Sequence, residues 1–126
     1  MSRQRLEDIN PDRVYHRPFD EVFEAIRLYS LKEDFTLDRY GSEAGRVIGH
    51  KTTTTSAVPS QMSSIGKTTT MVVMNLKMRK AAAGETEVLV NFSFENGHVV
   101  VSREEESMLL DCYSTFFEFM QEKLGS

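Results

Sequence analysis

Residues 86–95 alternate between apolar and polar positions without a break. Val88, Val90, Phe92 and Phe94 share one face, the period-two pattern of a half-buried strand. From Ser102 to Leu124 the period changes. Met108, Leu109, Cys112, Phe116, Phe119 and Met120 form a broad apolar stripe, as on a helix with one buried side. A strand followed by a long amphipathic helix predicts a helix lying across one face of an antiparallel sheet.

The same reading extends toward the N-terminus. Residues 1–12 are polar and charged, are interrupted by Pro11, and are expected to form a flexible arm. Arg13-Val14-Tyr15-His16-Arg17 predicts a short strand that Pro18 stops, because proline cannot donate to a ladder. Pro18 also suits a helix entry, and Asp20 and Glu21 favour the positive end of the helix dipole. Phe19, Val22, Phe23, Ile26 and Tyr29 recur at helical spacing up to about Glu33, which predicts the first helix. Thr36–Tyr40 and Arg46–His50 are strand-like and flank a turn cluster with Gly41 and Gly45, which predicts a hairpin.

Residues 52–70 hold eleven serines and threonines in nineteen positions. Threonine favours strands, so the two threonine runs can extend the strands beside them, with a flexible loop at 58–64. Thr70 to Met78 alternates again, apolar on one face and increasingly cationic on the other. Residues 81–85 make a hairpin connection, Asn96-Gly97 is a turn signal, and Val99–Val101 leads into the last helix. Ser102 with Glu105 fits a capping box, and Gly125 fits the terminating position. The predicted order is β-α-β-β-β-β-α: one α+β domain over residues 13–126, with a four- or five-stranded antiparallel sheet. Met108, Cys112, Phe116, Phe119 and Met120 are expected to bury against Val72, Met74, Leu76, Val90, Phe92 and Phe94.

The chain has 126 residues, one domain by size, and buries roughly two-thirds of its unfolded surface without needing a disulfide or metal. Its net charge of −4 argues against a nucleic-acid partner and against docking on an anionic membrane. No stretch approaches the ~20 apolar residues of a membrane span. No secretory leader is read at the N-terminus, so the chain is either cytoplasmic or a mature domain without its leader. Cys112 is the sole cysteine, and its place on the apolar stripe makes it a small buried hydrophobe rather than a reactive thiol.

Candidate chemistry is sparse. Gly66-Lys67-Thr68 resembles the end of a phosphate loop, but Gln61 stands where the first glycine belongs and a strand follows where a helix is needed. It reads as a turn opening a strand. His16, His50 and His98 show no ligand spacing, and no nucleophile-elbow pattern occurs. Glu104, Glu105 and Glu106 read as a solvated helix start. Lys77, Arg79 and Lys80 read as charges that protect a sheet edge. The seven methionines stand out, because methionine fills irregular interiors and adaptable binding surfaces. Core filling is one reading of them. An apolar cavity between sheet and last helix is the other, lined by Met74, Met78, Phe92, Phe94, Met108, Cys112, Phe116 and Met120. For an enzyme using that cavity, Tyr40, His50 and Tyr113 are the inward-facing candidates. No catalytic set, cofactor or metal site is expected.

The order resembles the helix-grip folds, and more closely the small bacterial envelope lipoprotein domains, such as the repeated domain of the outer-membrane assembly lipoprotein C. Three segments carry the likeness: Phe19–Ile26 for the first helix, Phe35–Tyr40 with Ser42–Ile48 for the strands that follow, and Asp111–Phe119 for the closing helix. The resemblance implies a periplasmic or envelope-associated, non-enzymatic interaction or assembly module. Its expected partner is a protein or an apolar small molecule, and a homo-oligomer is compatible with it.

Overall fold

The computed structural model describes residues 5–41, 45–56, 67–95 and 103–125; at residues 40–41, 53–56, 67–70 and 104 it describes the backbone alone. A short 3-10 turn at Leu6–Asp8 precedes strand β1 (Asp12–Tyr15), helix α1 (Phe19–Lys32), and strands β2 (Thr36–Gly41), β3 (Arg46–Ser56), β4 (Lys67–Ala82) and β5 (Glu85–Phe94). Helix α2 (Arg103–Leu124) closes the chain. The strands form one antiparallel five-stranded sheet in the order β1-β5-β4-β3-β2. The predicted α+β architecture is therefore the observed one. The turn at Asn96-Gly97, the cap at Ser102 and the loop at 58–64 lie outside the described residues.

The alternation in β4 and β5 sets the core. Val72, Met74, Leu76 and Met78 face inward beside Val88, Val90, Phe92 and Phe94, all of them buried. Val47 and Gly49 continue that face into β3. From the helices, Val22, Ala25, Ile26 and Tyr29 meet Leu109, Cys112, Tyr113, Phe116, Phe119, Met120 and Leu124 over it. This is one cluster rather than two layers in loose contact, and burial of this apolar area is the main term holding the domain together.

Local rules place the ends of the elements. The Pro18 carbonyl accepts the N–H groups of Glu21 and Val22 at 3.1 and 3.2 Å, which starts α1. At its other end Asp34 takes a left-handed conformation (φ 62°) and the Phe35 N–H reaches the Ser30 carbonyl at 2.9 Å. That closure turns the chain directly into β2. Gly125 ends α2 in the same way, with φ 74° and its N–H 2.8 Å from the Gln121 carbonyl.

Four expectations change. Strand β1 runs over Asp12–Tyr15, one residue earlier than expected at its start and two shorter at its end. The segment expected to be a flexible arm is docked from residue 5: Leu6 and Ile9 pack on the core, and Glu106 accepts hydrogen bonds from Arg5 Nε at 3.0 Å and the Leu6 N–H at 3.1 Å. Those contacts span about a hundred residues and leave no local signature. Met108 is half-buried rather than buried, while Leu109, beside it on the stripe, is 2% exposed and takes the inward position. The edge role expected of Lys77, Arg79 and Lys80 holds only in part: Lys77 is paired on both sides, whereas Arg79 and Lys80 lie past the last β3 partner and, among the described residues, pair with β5 alone. Lys77 and Arg79 point from the outer face of β4 to solvent.

Candidate functional site

Three places have the shape or chemistry of a site: the interior between sheet and α2, the clefts around the sheet end, and the far end of the β3–β4 hairpin.

The interior brings the eight cavity candidates together. Met74, Met78, Phe92, Phe94, Cys112, Phe116 and Met120 are buried in one cluster, with Met108 packed at its margin. Aromatic rings occupy its middle. Phe116 meets Tyr29 edge-on at a centroid distance of 5.0 Å and Phe92 at 6.1 Å. Phe92 meets Tyr113 at 5.0 Å and Phe35 at 6.0 Å, and Tyr29 meets Phe119 at 5.7 Å. Edge-to-face rings at these distances attract one another, and they stand directly between sheet and helix. Each polar atom that enters has a partner. The Tyr29 hydroxyl lies 3.5 Å from the Cys112 carbonyl, and the Tyr113 hydroxyl accepts the Phe92 N–H at 3.1 Å and donates to Asn91 Oδ1 at 3.4 Å. Among the described residues no buried side-chain nitrogen or oxygen lacks a hydrogen bond. Burial pushes the Cys112 thiol up to about 11, so at neutral pH it is a protonated, weakly nucleophilic group.

Three clefts among the described residues lie elsewhere. One of about 650 Å³ opens where the start of α1 (Pro18, Phe19, Asp20) faces Gly45 and the β4–β5 turn. A second of about 450 Å³ lies beside Arg46, Lys77, Arg79, Glu87 and Leu89, and a third of about 210 Å³ beside Pro11, Asn91 and Tyr113. Of the eight cavity candidates only Met78 borders any of these three. In the second cleft Glu87 bonds Arg79, whose guanidinium holds the Glu87 carboxyl below its usual range. Desolvation, with Glu87 alongside, pushes Asp12 up. The cleft thus mixes both signs, with Arg46, Lys77 and Arg79 beside Asp12 and Glu87, and carries no single-sign field.

The histidines are dispersed. His50 Nδ1 lies 2.6 Å from Asp38 Oδ2 on the outer face of β3, and His16 Nδ1 lies 2.7 Å from Glu85 Oε2; His98 falls outside the described residues. Tyr113 is on the opposite side of the sheet from His50, so these two do not share a site. The Tyr40 side chain is outside the description. Among the described residues no group of three or more His, Cys, Asp or Glu is placed to hold a metal ion. No described helix is long and apolar enough to cross a membrane.

The third place is an arm. Strand β2 accompanies β3 only as far as His50, opposite Thr36, and β5 accompanies β4 only from Val72, opposite Phe94. Yet β3 and β4 stay paired from Lys51↔Val72 outward through Thr52↔Met71 and Thr54↔Thr69 to Ser56↔Lys67. Five residue pairs therefore extend as a two-stranded ribbon, with no third strand on either side among the described residues. The threonine runs do extend the strands. What the composition does not reveal is that the neighbouring strands stop short. That follows from where β2 and β5 end, and the only available signal was the length of the threonine runs compared with those two strands.

No protein-family model and no curated protein sequence matches this chain. Among solved structures the chain is similar to the crystal structure of Ara h 8.0201, at 12% identity and a TM-score of 0.43, covering 91% of this chain and 95% of that one. So loose a superposition informs neither site nor function.

Proposed function

We propose that this protein is a non-enzymatic interaction module of the bacterial envelope and that it takes its partner by strand addition along the β3–β4 arm. The arm carries this reading. Two-stranded ribbons are marginally stable alone in water, and each exposed edge offers a row of backbone donors and acceptors that a further strand satisfies. Five paired positions beyond the ends of β2 and β5 add little to the fold and have most to gain from a partner. The interlocked rings of the interior support a module that works from its surface. The envelope location rests on the likeness of residues 19–26, 35–48 and 111–119 to envelope lipoprotein domains. Recovery of the natural precursor in the cytosol of fractionated cells would refute that location.

Excising the arm tests the main reading. Thr52 and Met71 are partners, so an Asn-Gly turn in place of residues 53–70 closes the hairpin with a favoured two-residue loop. The shortened protein is expected to keep its circular dichroism spectrum and to melt within about 3 °C of the full chain. A fall of more than about 10 °C would make the arm part of the fold and overturn the reading.

A second reading has an observation of its own. Met74, Met78 and Met120 are buried and Met108 is half-buried in the same interior, and flexible thioethers repack at low cost. On that reading the interior opens around an apolar small molecule, and the protein is its carrier.

A further inference from the structure

Granting that the arm recruits a partner, its chemistry identifies the partner. We propose that this is a second copy of the chain, joined β3 to β3 in antiparallel register about Thr54, so that two arms become one four-stranded sheet.

The other strand edges of the sheet are protected. Strand β1 is only four residues long. Beyond it, the free edge of β5 is covered by its own molecule: the Val90 N–H donates to the Pro11 carbonyl and the Phe92 N–H to the Tyr113 hydroxyl, both at 3.1 Å. Strand β2 is broken by a register shift between Leu37 and Arg39, with charged Asp38 and Arg39 at the break. Shortness, cover, bulge and charge are the devices that stop edges from pairing. Among the described residues, 52–56 of β3 show none of them. The register with β4 runs unbroken from Arg46 to Ser56, and Thr-Thr-Thr-Thr-Ser holds no charge and no proline.

That run also suits itself. Antiparallel pairing about Thr54 sets Thr53 against Thr55 and Thr52 against Ser56, so no like charges meet across the two-fold axis. Threonine pairs are favourable cross-strand neighbours. The other edge of the arm, on β4, carries Lys67, the residue type that most often deters edge pairing. Association of two marginal ribbons yields four strands, and three or more are what a sheet needs to be stable. An isologous contact of this kind closes at two copies. The pairing is short, so the dimer is weak and grows with concentration.

Sedimentation equilibrium of the full chain up to about millimolar concentration reads the result. The expected outcome is a monomer–dimer equilibrium. Thr54→Lys and Thr54→Glu each set like charges at the axis and weaken dimerisation at least about tenfold, and an equimolar mixture of the two variants restores it. Unchanged melting of each variant, expected because position 54 lies beyond the ends of β2 and β5, separates loss of pairing from loss of fold. Dimerisation indifferent to both substitutions would overturn the proposal. So would a monomer at every concentration. If that monomer's arm-excised form still melts normally, only the identity of the partner fails. If the excised form unfolds, the arm reading itself fails.

Discussion

Truncating Phe116 to alanine measures how solid the interior is. The ring is fully buried and sits against Tyr29 at 5.0 Å, Phe117 at 5.6 Å and Phe92 at 6.1 Å. Removing it forfeits the transfer free energy of the ring and leaves a cavity lined by side chains that cannot collapse, together about 3–5 kcal/mol. Each edge-to-face pair adds about 0.5–1.5 kcal/mol beyond its area, which places Phe116→Ala near the upper end. A domain of this size is stable by about 5–15 kcal/mol, so the variant loses a third or more of its stability. The chain has no tryptophan, so urea unfolding followed by far-ultraviolet circular dichroism is the suitable assay. Phe117→Ala is the control. Its half-buried ring stacks on Tyr113 and carries the Arg13 guanidinium at 4.1 Å, and its loss is expected to cost about 1–2 kcal/mol. A Phe116→Ala loss below about 1.5 kcal/mol would mean that the ring already borders empty space. The filled-interior reasoning would then be wrong.

Two further expectations follow from geometry and burial. Gly45 has φ 64°, and a Cβ there would lie 2.5 Å from the Met78 carbonyl oxygen, whereas Gly84 has φ 75° with nothing within 4 Å. Gly45→Ala should therefore cost about 2–3 kcal/mol and Gly84→Ala about 1 kcal/mol, read from urea midpoints; equal costs would contradict the close approach. Stability should also fall in alkali. Burial raises the Cys112 thiol from 9.0 to about 11 and the Tyr15 hydroxyl to about 12, and pushes Tyr29 higher still. Above pH 9 the unfolded chain releases protons that the folded chain retains, so unfolding is favoured as pH rises. Their stabilising contribution is complete below pH 9 and is lost as pH climbs toward 11–12. Urea midpoints that stay level up to pH 11 would refute this.

The parts of the fold legible in the sequence are those where one periodicity runs long enough to exclude the other. Val88 to Phe94 alternates over four inward positions, and the α2 stripe from Met108 to Met120 spans more than three turns, so both are read from side-chain pattern alone. Pro18 and Gly125 mark helix ends because their backbones leave few alternatives. The arm is half-legible. Threonine runs announce strand, but without alternating apolar residues nothing in 52–56 says which neighbours accompany it. The docking of Arg5 and Leu6 on Glu106 joins opposite ends of the chain and has no local pattern. The interior shows the same limit. Of the eight residues that spacing turns toward the interior, seven are buried and Met108 lies at the margin. Whether inward-facing side chains meet or surround a void depends on how the rings of Phe92, Tyr113, Phe116 and Tyr29 interlock, which is a property of packing rather than of pattern. Tyr29 was readable as a core residue on α1. Its place at the centre of the aromatic cluster was not.

The central claim is a filled domain that acts through its surface. Native mass spectrometry of the purified protein, before and after mild denaturation, tests it most directly. The account predicts the bare mass of the chain, with a doubled mass that grows with concentration and disappears in Thr54→Lys. A discrete extra mass that leaves on unfolding would contradict it and establish the carrier in its place.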